Sequence, residues 1–179
     1  MSHIMIDLET MSTEPNAAIV AIGAVVVNFE KNGLREEFYR RISLESSVLS
    51  GGIIDPDTVI WWLKQSRLAR REIYSASATI EKSCTSFLEF VERNGGAGTV
   101  KVWGDGASFD NVILSSTFQR LRLPVPWKYW NDRCYRTVKN MYPDIKSHNS
   151  GTEHNALDDA KAQANKLLGI YQENKGVAL

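Results

Sequence analysis

Apolar residues recur along this chain in two rhythms, and the change between them predicts the architecture. Ile4-Met5-Ile6 opens a short apolar run, read as a first strand over 5–8. Residues 17–29 are almost continuously apolar and rich in β-branched side chains, which predicts a central strand. Lys31-Asn32-Gly33 reads as a hairpin turn, and the chain returns as a third strand over 36–42. Turns this short join antiparallel neighbours.

The rhythm then becomes helical. Asp55-Pro56 places an N-cap residue before a proline in the first turn, so a helix is expected through Val59, Ile60, Trp62 and Leu63. Cys84, Phe87, Leu88 and Val91 share a helical face over 80–91, and Asn94-Gly95-Gly96 ends it. A buried strand is expected over 100–103 and a helix over 110–121. Pro124 and Pro126 break the chain before a strand near 127–130. Helical spacing resumes over 134–141 and 155–172. A hairpin meander followed by alternating strands and helices is an α/β architecture, a mixed five-stranded sheet with helices packed on it.

Composition narrows the class. The chain has 179 residues, 43% of them hydrophobic and 23% charged, so residues 1–179 read as one globular domain. Its 21 basic and 21 acidic residues cancel, so no global field announces a nucleic-acid partner. Locally, Arg120, Arg122, Lys128, Arg133, Arg136, Lys139 and Lys146 face only Asp132 and Asp144 over 120–146. Such a segment suits a phosphate backbone or a plain solvated face. Cys84 and Cys134 match no metal spacing and read as reduced structural thiols. With no signal pattern and no apolar run near the ~20 residues of a membrane span, a cytoplasmic protein without a membrane partner is expected.

Candidate chemistry lies in three acidic stretches. Asp7 and Glu9 follow the first apolar strand two residues apart, so both point to one side. Neighbouring carboxylates at a core edge repel unless a cation sits between them, and a hard divalent ion with oxygen ligands is the natural partner. Asp110 opens a helix after the Gly104-Asp105-Gly106 turn; it reads either as a helix cap or as a further ligand, with Asp105 as its rival. In the last helix Ala156, Ala160, Ala164, Leu167 and Tyr171 define a buried stripe. Asp159 falls on its flank, where a carboxylate reaches a cleft, whereas Asp158 points to solvent. His154 precedes that helix, and histidine suits proton abstraction near neutral pH. His3 and His148 have no partner motif and read as surface residues. Four carboxylates at element ends suffice for two ions that clamp the attacking and leaving oxygens of a phosphodiester.

Taken together, Asp7-x-Glu9-Thr10 after a strand, Phe109-Asp110 opening a helix, and His154 separated by four residues from Asp159 resemble the three motifs of the DEDDh family of 3′–5′ exonucleases, over residues 5 to about 172. Trp61-Trp62-Leu63-Lys64-Gln65-Ser66 is similar to a smaller group of phage and bacterial enzymes in that family. The resemblance implies an RNase H-like fold and hydrolysis at 3′ ends of single-stranded RNA or DNA, releasing 5′-mononucleotides. It implies two Mg²⁺ or Mn²⁺ held by Asp7, Glu9, Asp110 and Asp159, with His154 as general base. Leu8, Thr10 and Met11, around the first motif, fall where the family lines the terminal nucleotide, although Met11-Ser12 stands where relatives often carry glycine. Trp62, Gln65 and Phe109 are further substrate-contact candidates. One ring of the Trp61–Trp62 pair is expected in the core and the other free to stack on a base. Exposed aromatics permit a homodimer. The competing class is a nucleic-acid-binding or proofreading module with little activity of its own.

Overall fold

The computed structural model describes residues 2–145 and 151–174. Lys146 and His148, counted above among the basic and surface residues, lie outside them. The five strands are β1 (His3–Thr10), β2 (Ile19–Asn28), β3 (Gly33–Arg41), β4 (Lys101–Gly104) and β5 (Asp132–Cys134). They form one sheet in the order β3-β2-β1-β4-β5. The first three are antiparallel, and β4 and β5 join parallel to β1. This is the mixed five-stranded sheet that the hydrophobic rhythm predicts, with β1 at its centre.

The helices are α1 (Leu44–Leu49), α2 (Pro56–Leu63), α3 (Arg67–Tyr74), α4 (Ile80–Arg93), α5 (Asp110–Arg120), α6 (Tyr135–Met141) and α7 (Ala156–Glu173). None of the described helices is long and apolar enough to cross a membrane. Side-chain alternation along β1 divides the core. Ile4, Ile6 and Leu8 pack with Phe87 and Phe90 of α4 and with Ile113, Leu114 and Phe118 of α5. Met5 faces the other way, onto Ala160, Ala164 and Leu167 of α7. Asp7 and Glu9 continue the Met5 face.

Small residues let α7 settle on that face. Asp7 pairs with Gly23 of β2, and Glu9 with Ala21. A Cβ on Gly23 would lie 2.1 Å from the backbone carbon of Ala156, so only glycine admits the first turn of α7. The register of β1 against β2 slips between Glu9 and Thr10, an irregularity of the kind that re-aims side chains beside active sites.

Four sequence expectations need correction. The strand expected near 127–130 lies at Asp132–Cys134; Tyr129–Asn131 is a single 3₁₀ turn. The Trp127 indole is drawn inward to Asp132 Oδ1 at 2.7 Å, which ends the apolar segment before pairing begins. Helices α1 and α3 were not foreseen. Each is short: α1 has six residues and buries only Ser47, and α3 has eight, with Ala69 buried and Ile73 packed beside it. Ser66 is accordingly the N-cap of α3, its hydroxyl accepting from the Ala69 N–H. His3 is buried: its Nδ1 accepts from Trp103 Nε1 at 3.0 Å, and burial lowers its pKa to about 4.

Candidate active site

The sheet centre and the start of α7 bring the predicted acids together. One oxygen from each of Asp7, Glu9 and Asp159 lies within 4.8 Å of the others. Glu9 is 7% exposed. Asp7 Oδ1 accepts from Gln163 Nε2 at 2.6 Å. Asp159 sits one turn into α7, on the flank of the buried stripe formed by Ala156, Ala160, Ala164 and Leu167. Asp158 differs from its solvent-facing expectation: its Oδ2 accepts from the Thr152 N–H at 2.9 Å and ties down the loop before α7.

Asp110 is not a helix cap. Phe109 holds the cap position without a side-chain bond, and Asp110 Oδ1 accepts from the Leu8 N–H at 3.2 Å. That bond ties the fourth carboxylate to β1 at Leu8, the residue between Asp7 and Glu9, although Asp110 is not one of the three acids whose oxygens lie within 4.8 Å of one another. Gly104 makes the approach feasible, since a Cβ there would meet Asn111 Oδ1 at 2.4 Å and Asp110 Cβ at 2.8 Å. Asp105 is engaged elsewhere, paired with Arg136 and Lys139.

Crowding registers in the acidities. Asp7 is raised well above the usual carboxylate range, by burial first and then by Asp110, Glu9 and Asp159. Burial, with Asp159 and Asp110, pushes Glu9 up to about 8. Asp110 rises to about 7 through burial, even though the Leu8 N–H favours its anion. Asp159 is raised by burial as well. Among the described residues, no ion pair joins a lysine or arginine to any of the four. An all-oxygen donor set, crowded and lacking a protein counter-charge, fits hard divalent cations. The buried and unpartnered Oε1 of Gln163 adds an acceptor beside Asp7.

His154 stands at the rim. Its backbone has φ +62°, a left-handed conformation that costs a non-glycine residue energy. Its own N–H donates to Asp159 Oδ2 at 3.0 Å, and Asn155 caps α7 by accepting from the Leu157 and Asp158 N–H groups. The backbone of His154 is thus tied to one of the carboxylates, while its ring lies edge-on to Trp61 and Trp62. Two cavities meet there. One, of about 620 Å³, includes Leu8, Glu9, Thr10, Trp61, Phe109 and Arg136 in its wall. The other, of about 730 Å³, is lined on α6 and α7 by Tyr135, Lys139, Gln163 and Lys166. Asp7, His154 and Asp159 line both.

The remaining contact candidates separate. Leu8, Thr10 and Phe109 line the first cleft. Met11 does not; its side chain is buried with Ala18, Val20, Trp62 and Ala69. Gln65 turns back on its own helix, its amide donating to Trp61 O at 3.0 Å. Trp62 is the core member of the pair: it is 3% exposed, forms part of the cleft wall, and donates from Nε1 to Thr10 O at 2.9 Å. Trp61 is the open one, 42% exposed, with its ring edge-on to His154 at 4.9 Å between centroids. The ~100° between adjacent helix positions separates them. Arg136, read from the sequence only as one of several basic residues over 120–146, lines the first cleft, and Gln163 was missed. Gln163 lies four residues after Asp159, on the same helix flank, a spacing that would have found it.

Comparisons place this geometry. The model of the 3′-5′ exoribonuclease Rv2179c-like domain family matches residues 2–171. No curated protein matches the chain. Among solved structures, the nuclease domain of 3′hExo, described as a DEDDh family member bound to rAMP, aligns with TM-score 0.69 at 14% identity, over 99% of this chain and 94% of that one. Exonuclease X in complex with 5′ overhanging duplex DNA aligns with TM-score 0.61 at 18% identity, covering 98% and 95%. A zinc-bound E. coli ExoI–ssDNA complex gives TM-score 0.68 at 13% identity, over 98% of this chain and 41% of that one. At these identities the likeness establishes a shared RNase H-like fold.

Proposed function

The chain belongs to the 3′-5′ exoribonuclease Rv2179c-like domain family, and from that premise we propose that it shortens single-stranded RNA from the 3′ end, releasing 5′-mononucleotides with the aid of two divalent cations, Mg²⁺ or Mn²⁺. Three carboxylates converging within 4.8 Å, with His154 hung from one of them, carry the proposal. The four acids would hold the cations, and these, when bound, would supply charge stabilisation for the attacking and leaving oxygens.

The chain's own residues do the rest. Gln163 orients the Asp7 carboxylate through its amide. The Leu8 N–H holds Asp110 at a fixed distance from β1. His154, at the junction of both cavities, takes the proton of the attacking water at an imidazole nitrogen. Its backbone is held at the site by the N–H bond to Asp159 Oδ2. Trp61 offers a partly open ring for a terminal base.

A time course on end-labelled RNA and DNA of matched sequence, with Mg²⁺ or Mn²⁺, tests this. Wild-type protein is expected to release mononucleotides from the 3′ end, RNA faster than DNA. Asp7→Asn or excess chelator is expected to abolish release with the fold intact. Tight binding with negligible turnover in either metal would favour the non-catalytic binding module instead.

A further inference from the structure

The Gly104-Asp105-Gly106 turn does more than bring α5 to the sheet. We propose that Arg136 binds a backbone phosphate of the substrate strand, and that Asp105 is its positioning residue; this rests on the nucleic-acid reading given above. The first cleft is lined by five carboxylates, Asp7, Glu9, Asp55, Asp57 and Asp159, and Arg136 is the lone lysine or arginine in its described wall. A polyanionic strand entering such a cleft needs a fixed cation.

Arg136 is fixed. Asp105 Oδ1 accepts from its Nε at 3.2 Å, and the Asp105 carbonyl accepts from Nη2. The other carboxylate oxygen of Asp105 takes Lys139 Nζ at 2.7 Å. Gly106, at φ +107°, lies directly beneath the guanidinium: a Cβ there would stand 3.3 Å from Arg136 Cζ. Of the five N–H donors of an arginine, three remain uncommitted on a side chain 57% exposed. A planar fork with its orientation set and its outer edge open is suited to phosphate. Lys139 faces the second cavity, so one carboxylate orients a cation toward each side of the acid cluster.

The test is binding of labelled single-stranded RNA by fluorescence anisotropy, at about 50 to 200 mM KCl. It is done with Mg²⁺ in the His154→Gln background, whose four carboxylates are intact. One phosphate contact contributes about 0.7 to the slope of log Kd against log salt, or about fivefold in Kd near 0.1 M salt. Arg136→Gln is expected to raise Kd by that factor and to lower the slope by about 0.7, with the melting temperature unchanged. Asp105→Asn removes a negative charge, so simple electrostatics would tighten binding. The positioning role requires the opposite, a raised Kd. Unchanged Kd and slope in Arg136→Gln would overturn the phosphate site, and tighter binding by Asp105→Asn would overturn the positioning role. Neither outcome depends on turnover, which wild-type mononucleotide release tests separately.

Discussion

Replacing Glu9 with glutamine keeps its shape and removes one anion, and its effect on the metal-free protein should be stabilising. The carboxyl of Glu9 is raised from 4.5 to about 8 by burial, Asp159 and Asp110. Between those values the unfolded chain has released the proton while the folded protein retains it, so stability falls as pH rises from about 4.5 to 8. At roughly 1.4 kcal/mol per pH unit, the penalty reaches about 5 kcal/mol near pH 8. Coulomb's law gives a similar scale. Two charges separated by at most 4.8 Å repel by about 3 kcal/mol at an effective dielectric near 20. In chelator at pH 8, Glu9→Gln should therefore melt about 10 to 20 °C above wild type, given ~2–4 °C per kcal/mol for a domain of this size. At pH 5, where Glu9 is already protonated, the two should melt together. Adding Mn²⁺ should reverse the order, because wild type gains stability from an ion that the variant holds less well. Melting curves by circular dichroism read all three conditions. A variant no more stable than wild type in chelator at pH 8 would refute the electrostatic account of the site.

Three further outcomes follow from the geometry. His154→Gln keeps the backbone N–H that Asp159 accepts, so it should lose about 10²- to 10⁴-fold in kcat while retaining the Mn²⁺-induced rise in melting temperature. Loss of that rise would make His154 part of the ion site. Trp61→Ala should weaken single-strand affinity by roughly 5- to 150-fold, the worth of one stacked base, with little change in melting. Trp62→Ala should instead lower stability by about 3–5 kcal/mol through lost core packing and the lost bond to Thr10, as denaturant titration would report.

Where physical periodicity governs, the chain could be read directly. Two-residue alternation put Asp7 and Glu9 on one face of β1, and the alanine stripe of α7 singled out Asp159 over Asp158. What escaped notice depends on partners distant in sequence. Asp110 looks like a cap until the Leu8 N–H, 102 residues away, is seen to donate to its carboxylate. His3 looks like a surface residue until Trp103 covers it. Arg136 is one basic residue among several until Asp105, 31 residues earlier, holds it at the cleft. Helix α1 is six residues long and buries only Ser47, so no apolar stripe marks it, whereas the Ala69–Ile73 spacing of α3 is a helical signal that was overlooked. In the Trp61–Trp62 pair, helix geometry separates the two rings by ~100° but does not say which faces inward.

Gly23 has no functional group, yet the separation of Asp7 from Asp159 is its doing. Any heavier residue would pry the first turn of α7 off the strand and spread the acids apart. The spacing of the prospective ion ligands is thus written into the thinnest point of the sheet. A substitution at Gly23 is therefore a substitution at the ion site, although the residue offers no ligand atom.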